Sequence, residues 1–365
     1  MHKLNTAITS CIIVSLVLLS VAIVHAKNTT VSSETSTQTA VHPTTSPAPA
    51  TTITTETAST PLAQNYAKLV NIGSLCGQSD LVEPSKINDA GQIVGHARAC
   101  DGQSIHAFFW TKGKMKDLGA LHKEDASAAV DINKKGQVVG YSESEEDGSK
   151  MFTYQNRRMK KYKADVYRAF AINDAGVIVG RYFGGVEKTS GFILTKGVIK
   201  TYPYAFFDVN NKGQAIGVDD NNSGQQRYAV LWQNGEATKL GVLPGDFVST
   251  PSAINNNGVI VGSSSRYPNS HTFLWKDGVI SQITLPPSLR GFDINDHEQI
   301  VGRQFLYHNG ETINLNDLLP PNSEWKIFDA RSINNNGQIV GMAWNKNNWS
   351  EVIGFLLELP DEYKF

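Results

Sequence analysis

The stretch Ile87-Asn88-Asp89-Ala90-Gly91-Gln92-Ile93-Val94-Gly95 is one of seven near-copies of an aliphatic-Asn-x-x-Gly-x-aliphatic-aliphatic-Gly phrase. The repetition decides the fold, because successive Asn residues of the phrase are 45, 40, 37, 45, 40 and 39 positions apart. Such a period is typical of an array of similar supersecondary units, none of which can bury its apolar face alone. The other copies begin at Ile132, Ile172, Val209, Ile254, Ile294 and Ile333.

Each copy predicts a hairpin between the strand that ends at the aliphatic-Asn pair and the strand that follows the Gly. In the first copy, the Asn88 side chain can accept a hydrogen bond from the backbone two residues on. Gly91 can adopt the left-handed conformation that closes the turn. The sixth copy has Glu298 where Gly is expected, so that hairpin should be strained or differently turned.

Each unit continues with an aromatic-rich third strand, such as residues 106–110, whose aromatic side chains are expected to pack between neighbouring sheets. A fourth strand follows only the first six units, but Tyr66–Gly73, ahead of the first unit, resembles one. The sequence therefore predicts an all-β, seven-bladed β-propeller of four-stranded blades over residues 65–365. The N-terminal strand would complete the last blade and remove both exposed sheet edges. The alternative is a linear solenoid, which would need terminal caps that we do not find.

The phrases Ile-Asn-x-x-Gly-Gln-Ile-Val-Gly and His-Ala-Phe-Phe-Trp resemble the bacterial extracellular repeat family named HAF after its His-Ala-Phe strand. The resemblance covers about residues 66–358. It implies a secreted repeat protein but no particular activity, since members of that family are mostly uncharacterised. The chain departs from the family pattern at Glu298 and in the many third strands that lack the His.

The N-terminal residues predict export. Residues 1–26 combine Lys3, an apolar run over residues 12–24 and small residues before a cleavage point, as signal peptides do. A retained membrane anchor is the alternative. Residues 27–64 are rich in Thr, Ser, Ala and Pro, a composition typical of a disordered linker. We therefore expect an extracellular or periplasmic protein, with no membrane insertion after cleavage of the signal.

Charge and cysteine content limit the partners and the compartment. The net charge is −1 and the sequence pI is about 6.8, so nucleic acid is not an expected partner. Cys76 and Cys100 remain in the mature chain. Both fall on the end of the propeller that carries the connections into each blade and between second and third strands, here called the loop face. We predict a disulfide between them; two free thiols are the alternative.

The loop face is also the predicted binding surface, because variable loops on a repetitive scaffold commonly carry specificity. Its segments are predicted to be irregular loops, at residues 96–105, 141–150, 181–190, 218–227, 263–270 and 342–350. Cations and aromatics in them suit sugars or peptide termini, although they can equally be ordinary loop residues. The candidate ligand-binding residues are Arg181, Tyr182, Arg266, Tyr267, Trp344 and Trp349.

The sequence contains no recognisable nucleophile elbow, metalloprotease helix motif, phosphate loop or dinucleotide fingerprint. We therefore predict no catalytic residues, no cofactor and no metal. The favoured function is a monomeric, non-enzymatic binding module for an extracellular glycan or protein. The alternative is an extracellular lyase or hydrolase with a site at the central channel. An enzyme should gather ionisable groups near the axis, whereas a binding module should expose an aromatic-lined patch.

Overall fold

The computed structural model describes residues 65–364 apart from 78–80, 124, 145–147, 163–166, 183–189, 220–226 and 286–290. The predicted signal peptide (residues 1–26) and linker (27–64) lie outside the described residues. Asn65–Phe365 forms one compact unit. Within the described ranges we find no helix of the length and apolar character needed to cross a membrane.

Seven antiparallel sheets of four strands make up the unit. In chain order β1 (Lys68–Asn71) comes first, and a short 3-10 helix (Asp361–Tyr363) comes last. Blade 1 contains β2 (Val82–Ile87), β3 (Ile93–Arg98), β4 (Ile105–Thr111) and β5 (Lys114–Gly119); blade 2 contains β6 (Ala126–Ile132), β7 (Val138–Ser144), β8 (Gly148–Gln155) and β9 (Arg158–Lys161). Blade 3 contains β10 (Tyr167–Ile172), β11 (Ile178–Tyr182), β12 (Ser190–Thr195) and β13 (Val198–Tyr202); blade 4 contains β14 (Tyr204–Val209), β15 (Ala215–Asp219), β16 (Tyr228–Gln233) and β17 (Glu236–Gly241). Blade 5 contains β18 (Val248–Ile254), β19 (Ile260–Arg266), β20 (Asn269–Lys276) and β21 (Val279–Ile283); blade 6 contains β22 (Asp293–Ile294), β23 (Ile300–Gly302), β24 (Phe305–His308) and β25 (Glu311–Asn314). Blade 7 contains β26 (Trp325–Ile333), β27 (Gln338–Asn345) and β28 (Asn348–Glu358).

The ring closes through β1, which is the outer strand of blade 7. It pairs antiparallel with β28, with Lys68 opposite Glu358 and Asn71 opposite Phe355. The two ends of the repeat array therefore share one sheet and leave no unpaired terminal blade. The predicted seven-bladed β-propeller with its N-terminal strand in the last blade is confirmed.

The Asn of each repeat organises the turn between first and second strands. In blade 1, Asn88 Oδ1 accepts hydrogen bonds from the amides of Ala90 (3.1 Å) and Gln92 (3.0 Å). Gly91, at φ 69°, donates its amide to the Asn88 carbonyl. Glu298 makes the same turn in blade 6 at φ 61°, a conformation that disfavours side chains. That hairpin is therefore strained rather than differently turned.

The last Gly of the phrase is needed because the first and second strands approach very closely. A Cβ on Gly95 would lie 2.1 Å from the Glu83 carbonyl oxygen. The neighbouring register shifts between Pro84 and Lys86, which places a bulge in the first strand just ahead of the Ile-Asn pair. The same shift recurs in five other blades. The bulge inserts one extra residue into the first strand.

A ring of asparagine side chains fastens each blade to the next. Asn88 Nδ2 donates to the Asn133 carbonyl (2.9 Å), and Asn334 Nδ2 closes the ring on the Asn88 carbonyl (2.9 Å). The intervening donors are Asn133, Asn173, Asn210, Asn255 and Asn295, each to the Asn carbonyl of the following blade at 3.0 or 3.1 Å. All seven asparagines are buried. Each of these bonds therefore pairs a buried side-chain amide with a buried carbonyl, and either group would destabilise the fold if it had no partner.

The apolar core lies between blades, as the aromatic third strands predict. Phe108, Phe152 and Phe192 are fully buried in the third strands of blades 1 to 3. Phe108 packs in a cluster with Val340 and Leu356 of blade 7. Because each cluster takes residues from two blades, no single repeat has a core of its own.

Three of the predicted irregular loops are wrong. Residues 263–270 and 342–350 are instead the ends of long hairpins, with two-residue connections after Arg266 and after Asn345. Most of residues 141–150 likewise belong to a hairpin, since Ser144 at the end of β7 lies opposite Gly148 at the start of β8. The difference arises because short polar or aromatic runs such as residues 263–266 extend the ladder when a partner strand is present. The loop face of blades 5 and 7 is therefore formed by ordered hairpin tips.

Candidate functional site

The disulfide lies at the start of the ring on the loop face. The sulfur atoms of Cys76 and Cys100 are 1.93 Å apart, and the two Cα atoms are 5.3 Å apart. Cys76 belongs to the connection from β1 into blade 1, and Cys100 to the connection between β3 and β4. The bond thus ties the segment that closes the propeller to the first blade.

The six candidate binding residues occupy three separate blades. Arg181 and Tyr182 end β11 in blade 3 and are half-buried; Arg266 ends β19 in blade 5 with Tyr267 at the hairpin tip; and Trp344 and Trp349 lie on β27 and β28 in blade 7. Blades 4 and 6 separate these pairs. The structure therefore brings the two tryptophans together but does not gather all six residues into one pocket.

The tryptophan pair is the largest aromatic feature of the described loop face. The rings of Trp344 and Trp349 have centroids 4.4 Å apart in an edge-to-face arrangement. Phe328 packs against Trp344 at 6.0 Å, and Lys326 Nζ lies 5.8 Å from the Trp344 centroid. Trp349 is 66% exposed. The hairpin thus exposes the Trp349 ring to solvent, and the Trp344 ring packs against it and limits its movement.

Blade 5 carries a second aromatic tip. Tyr267 is 97% exposed at the turn between β19 and β20. The Arg266 guanidinium lies 4.9 Å from the Phe247 centroid, and Phe247 is itself 48% exposed. Cation–π contacts of this kind fix the arginine over the ring. This tip therefore combines a cation with two accessible aromatic rings.

Residues that the sequence prediction missed line the propeller axis. The residue just before the aliphatic-Asn pair follows the bulge in six of the blades. Equivalent segments of all seven blades line one cavity of about 150 Å³. It opens at the end that carries the first-to-second and third-to-fourth strand turns, here called the turn face. Of the residues that precede the aliphatic-Asn pairs, Lys86, Asp131, Asp208 and Asp293 line this cavity. Ala171, Ala253 and Ser332 hold the equivalent sequence positions in blades 3, 5 and 7.

Burial and mutual attraction strongly perturb the axial ionisable groups. Lys86 Nζ contacts Asp293 Oδ1 at 2.8 Å. Although burial by itself lowers the pKa of Lys86, the carboxylates of Asp293, Asp208 and Asp131 raise it above its usual value. Burial raises the pKa of Asp131 to about 7, against the opposing effect of Lys86. Burial likewise raises the pKa of Asp208.

The axial carboxylates join neighbouring blades. Asp131 accepts the amides of Ile132 (2.8 Å) and of Ile172 in the next blade (2.7 Å). Asp208 accepts the amides of Val209 and Ile254 in the same manner, at 2.8 and 2.9 Å. Because both oxygens of each group already accept a hydrogen bond, this arrangement favours a structural role over acid–base chemistry.

A second ionic cluster lies toward the loop face, between blades 7 and 1. Arg331 contacts Glu83 (2.9 Å) and Asp329 (2.7 Å), and His96 lies 3.7 Å from Glu83. Burial and the Arg331 charge lower the pKa of His96, while Glu83 opposes them. Bulge and register decide which residues meet here, so motif spacing alone could not find the cluster.

Within the described ranges, no group of three or more His, Cys, Asp or Glu side chains is arranged to hold a metal ion. The ionisable groups near the axis instead bind one another or the backbone. The described candidate site therefore consists of the aromatic hairpin tips of blades 5 and 7.

Comparison with known proteins shows the fold and no more. No protein-family model and no curated protein sequence matches the chain, so the HAF resemblance stays a prediction. Solved structures with the same fold include YCF48 bound to a D1 peptide, with a TM-score of 0.50, 10% identity, and coverage of 82% of this chain and 97% of that chain. A structure from a study of two prolyl endopeptidases matches with a TM-score of 0.50, 9% identity, and coverage of 81% and 50%.

TolB from Acinetobacter baumannii is similar at a TM-score of 0.44 and 12% identity, over 74% of this chain. The present chain spans 64% of TolB, less than two thirds of its length. These similar structures include both peptide-bound and peptidase propellers. At such identities they establish a β-propeller and do not choose between binding and hydrolysis.

Proposed function

We propose that the protein is a secreted, non-enzymatic binding module that presents its loop face to an extracellular glycan or protein. The exposed Trp349 ring, braced by Trp344, carries this proposal. A solvent-exposed tryptophan held in one orientation loses little conformational freedom on binding and offers a large apolar face. The cation near each aromatic tip adds a charged contact for carboxylates or polar hydroxyl groups.

The export signal predicted at residues 1–26 supports an extracellular partner. The loop-face hairpins of blades 5 and 7 are paired strands up to their two-residue tips. This supports binding by a surface that is already formed, rather than by a loop that becomes ordered when the ligand binds. The separation of the aromatic tips in blades 5 and 7 favours a partner longer than a single sugar or amino acid. A polymeric glycan or a protein surface meets that requirement.

Trp349→Ala provides the direct test. In glycan-array and pull-down screens with the full chain, we expect this variant to weaken binding of the wild-type ligand by at least about tenfold, as loss of an aromatic anchor does. Val279→Ala is the matched control, because Val279 is 65% exposed on the outer strand of blade 5. Equal binding by wild type, Trp349→Ala and Tyr267→Ala would exclude these tips as the site.

The enzymatic alternative has a separate readout. A hydrolase or lyase would shorten a bound polymer during incubation, which size-exclusion chromatography detects. Glu83→Gln should then stop the shortening while leaving binding intact, since Glu83 belongs to the ionic cluster nearest the loop face. Our proposal expects unchanged polymer length with both proteins.

A further inference from the structure

The outer strands of blades 1 to 3 carry a cation at the same structural position in each blade. Lys116, Lys160 and Lys200 lie opposite the third-strand residues Phe109, Thr153 and Ile193, each two positions before the end of its strand, and all three lysines are exposed. The equivalent positions of the other blades are Thr238, Ser281, Ile313 and Val70. The near-neutral net charge of the chain conceals this local excess of positive charge.

The turns that lead into these three strands also carry cations, on backbone that disfavours them. Lys112 (φ 48°), Arg157 (φ 63°) and Lys196 (φ 50°) lie in two-residue turns with a left-handed conformation. Such turns prefer Asn or Asp followed by Gly. Blades 4, 5 and 6 follow that preference with Asn234-Gly235, Asp277-Gly278 and Asn309-Gly310. Arg157 even replaces the Gly that the other five turns retain.

Protection against aggregation does not explain this distribution. Lysine on an outer strand commonly prevents edge-to-edge pairing of sheets. That role would require a cation on every outer strand, whereas β21 and β25 have none. It would also not require cations in the turns, where no edge is open to pairing. Unfavourable backbone conformations that persist at three neighbouring turns indicate a function for the charges.

The cations remain available to a ligand. The structure describes all of β5, β9, β13 and the turns that lead into them, and Asp117 is the single carboxylate among these residues. The Asp117 carboxylate already contacts His106 Nδ1 at 2.9 Å. Lys116 reaches across to blade 2, where its Nζ donates to the Tyr154 hydroxyl (2.6 Å). Lys160 Nζ lies 5.1 Å from the Tyr162 centroid. These contacts hold the ammonium groups in place without neutralising them.

We propose that this surface, the basic rim formed by Lys112, Lys116, Arg157, Lys160, Lys196 and Lys200, binds a linear acidic polysaccharide. The regular recurrence of a cation in successive blades suits a polymer with repeating carboxylate or sulfate groups. The rim is a second binding surface, separate from the loop face of the proposed function, because the turns lie at the opposite end of each blade.

Other polyanions fit the basic rim less well. Single-stranded nucleic acid needs exposed aromatic rings for base stacking, but Tyr154 and Tyr162 are half-buried beside lysines. Stable membrane attachment needs apolar anchors, and Val198 is the one large apolar residue exposed on these three strands.

The test is binding of the full chain to immobilised polygalacturonate, which carries carboxylates, and to dextran sulfate, with neutral dextran as a blank. Wild type is compared with the triple variant Lys116→Gln/Lys160→Gln/Lys200→Gln. The charge-matched control is Lys68→Gln/Lys276→Gln/Lys364→Gln, which removes three exposed cations elsewhere. Circular dichroism and thermal melting verify that both variants are folded.

The rim variant should bind at least one acidic polymer at least about tenfold more weakly than wild type, and its affinity should depend less steeply on salt. The control should stay within about twofold of wild type, because its three cations already pair with Glu358, Glu298 and Asp361. The difference between the two polymers assigns the preference to carboxylate or sulfate.

Three results would overturn the proposal. One is equal binding of both polymers by the rim variant and the control. Another is tighter binding of a single-stranded oligonucleotide or of phosphatidylserine vesicles than of either polysaccharide. The third is loss of polysaccharide binding in Trp349→Ala but not in the rim variant, which would assign the ligand to the loop face. Trp349→Ala and Tyr267→Ala test the loop face, whereas the triple lysine variant tests the basic rim, so the two proposals fail separately.

Discussion

The Nδ2 atom of Asn334 lies 2.9 Å from the carbonyl oxygen of Asn88, so the last blade is fastened to the first by the bond that joins every other neighbouring pair. The two residues are 246 positions apart in the chain. Closure of the ring therefore does not depend on β1 alone. β1 acts at the outer edge of the ring, and Asn334 acts at its axis.

Asn334→Asp should destabilise the protein by about 1–3 kcal/mol, because it leaves a buried carbonyl without its donor and buries an added charge. The Oδ1 contacts to the amides of Asn336 and Gln338 can persist. The effect therefore reports the two bonds that Nδ2 donates, the inter-blade bond and a local one to Gln338 Oε1 (2.8 Å). Urea unfolding measures the loss. Asn234→Asp is the control, since Asp277 already occupies the equivalent exposed turn position of blade 5. Equal stability of both variants would show that the ring contributes little.

The repeat phrase predicts the fold well because its Asn and Gly residues are determined by the local geometry of the turn. Asn88 and Gly91 are required by the turn itself, whatever surrounds it, and the copy number follows directly from them. The position of β1 followed from a missing fourth strand. The inter-blade bond of Asn88 was not predictable, because its acceptor depends on how closely two blades pack.

The axial groups and the basic rim were missed for different physical reasons. Whether Asp131 faces the axis depends on a bulge one residue earlier, at Val130. A valine at that position does not by itself predict a bulge. The rim was hidden because composition averages charge over the whole chain. A comparison of outer strands, Lys-Met-Lys at 114–116 with Arg-Met-Lys at 158–160, would have shown it.

The raised pKa of Asp131 predicts an unusual pH dependence of stability. Its ordinary pKa of 3.8 rises to about 7 in the fold, so the folded state binds more protons than the unfolded state between these values. Stability from this group is complete below the lower pKa and is lost as pH rises through the upper one. The stability that Asp131 contributes to wild type should therefore be lost between pH 5 and pH 8.

Asp131→Asn removes that titration, so its loss of stability between pH 5 and pH 8 should be smaller than that of wild type. Part of the loss should remain, because burial also raises the pKa of Asp208. Guanidinium unfolding at both pH values measures the difference. Asp277→Asn, at an exposed turn, is the control. An unaltered pH dependence in Asp131→Asn would contradict the assignment.

Removal of the disulfide should weaken closure of the ring. Cys76 and Cys100 are separated by 24 positions, a loop for which chain entropy predicts a stabilisation of about 3 kcal/mol. Cys76→Ser/Cys100→Ser should lower the free energy of unfolding by about that amount. A reductant should destabilise wild type to the same level and leave the double variant unaffected. Sensitivity of the variant to reductant would point to another cause.

Arg157→Gly should increase the stability of the protein while weakening binding at the basic rim. Arg157 occupies a left-handed turn position that the other blades give to Gly, so the substitution relieves about 1–2 kcal/mol of conformational strain. Greater freedom of Gly in the unfolded chain offsets part of this, which leaves a gain of about 0.5–1 kcal/mol. Asn156→Gly should gain less, because Asn tolerates the left-handed region. We therefore expect a higher melting temperature for Arg157→Gly together with weaker binding to dextran sulfate or polygalacturonate. A variant that is more stable and binds as wild type does would mean that Arg157 is not retained for its charge.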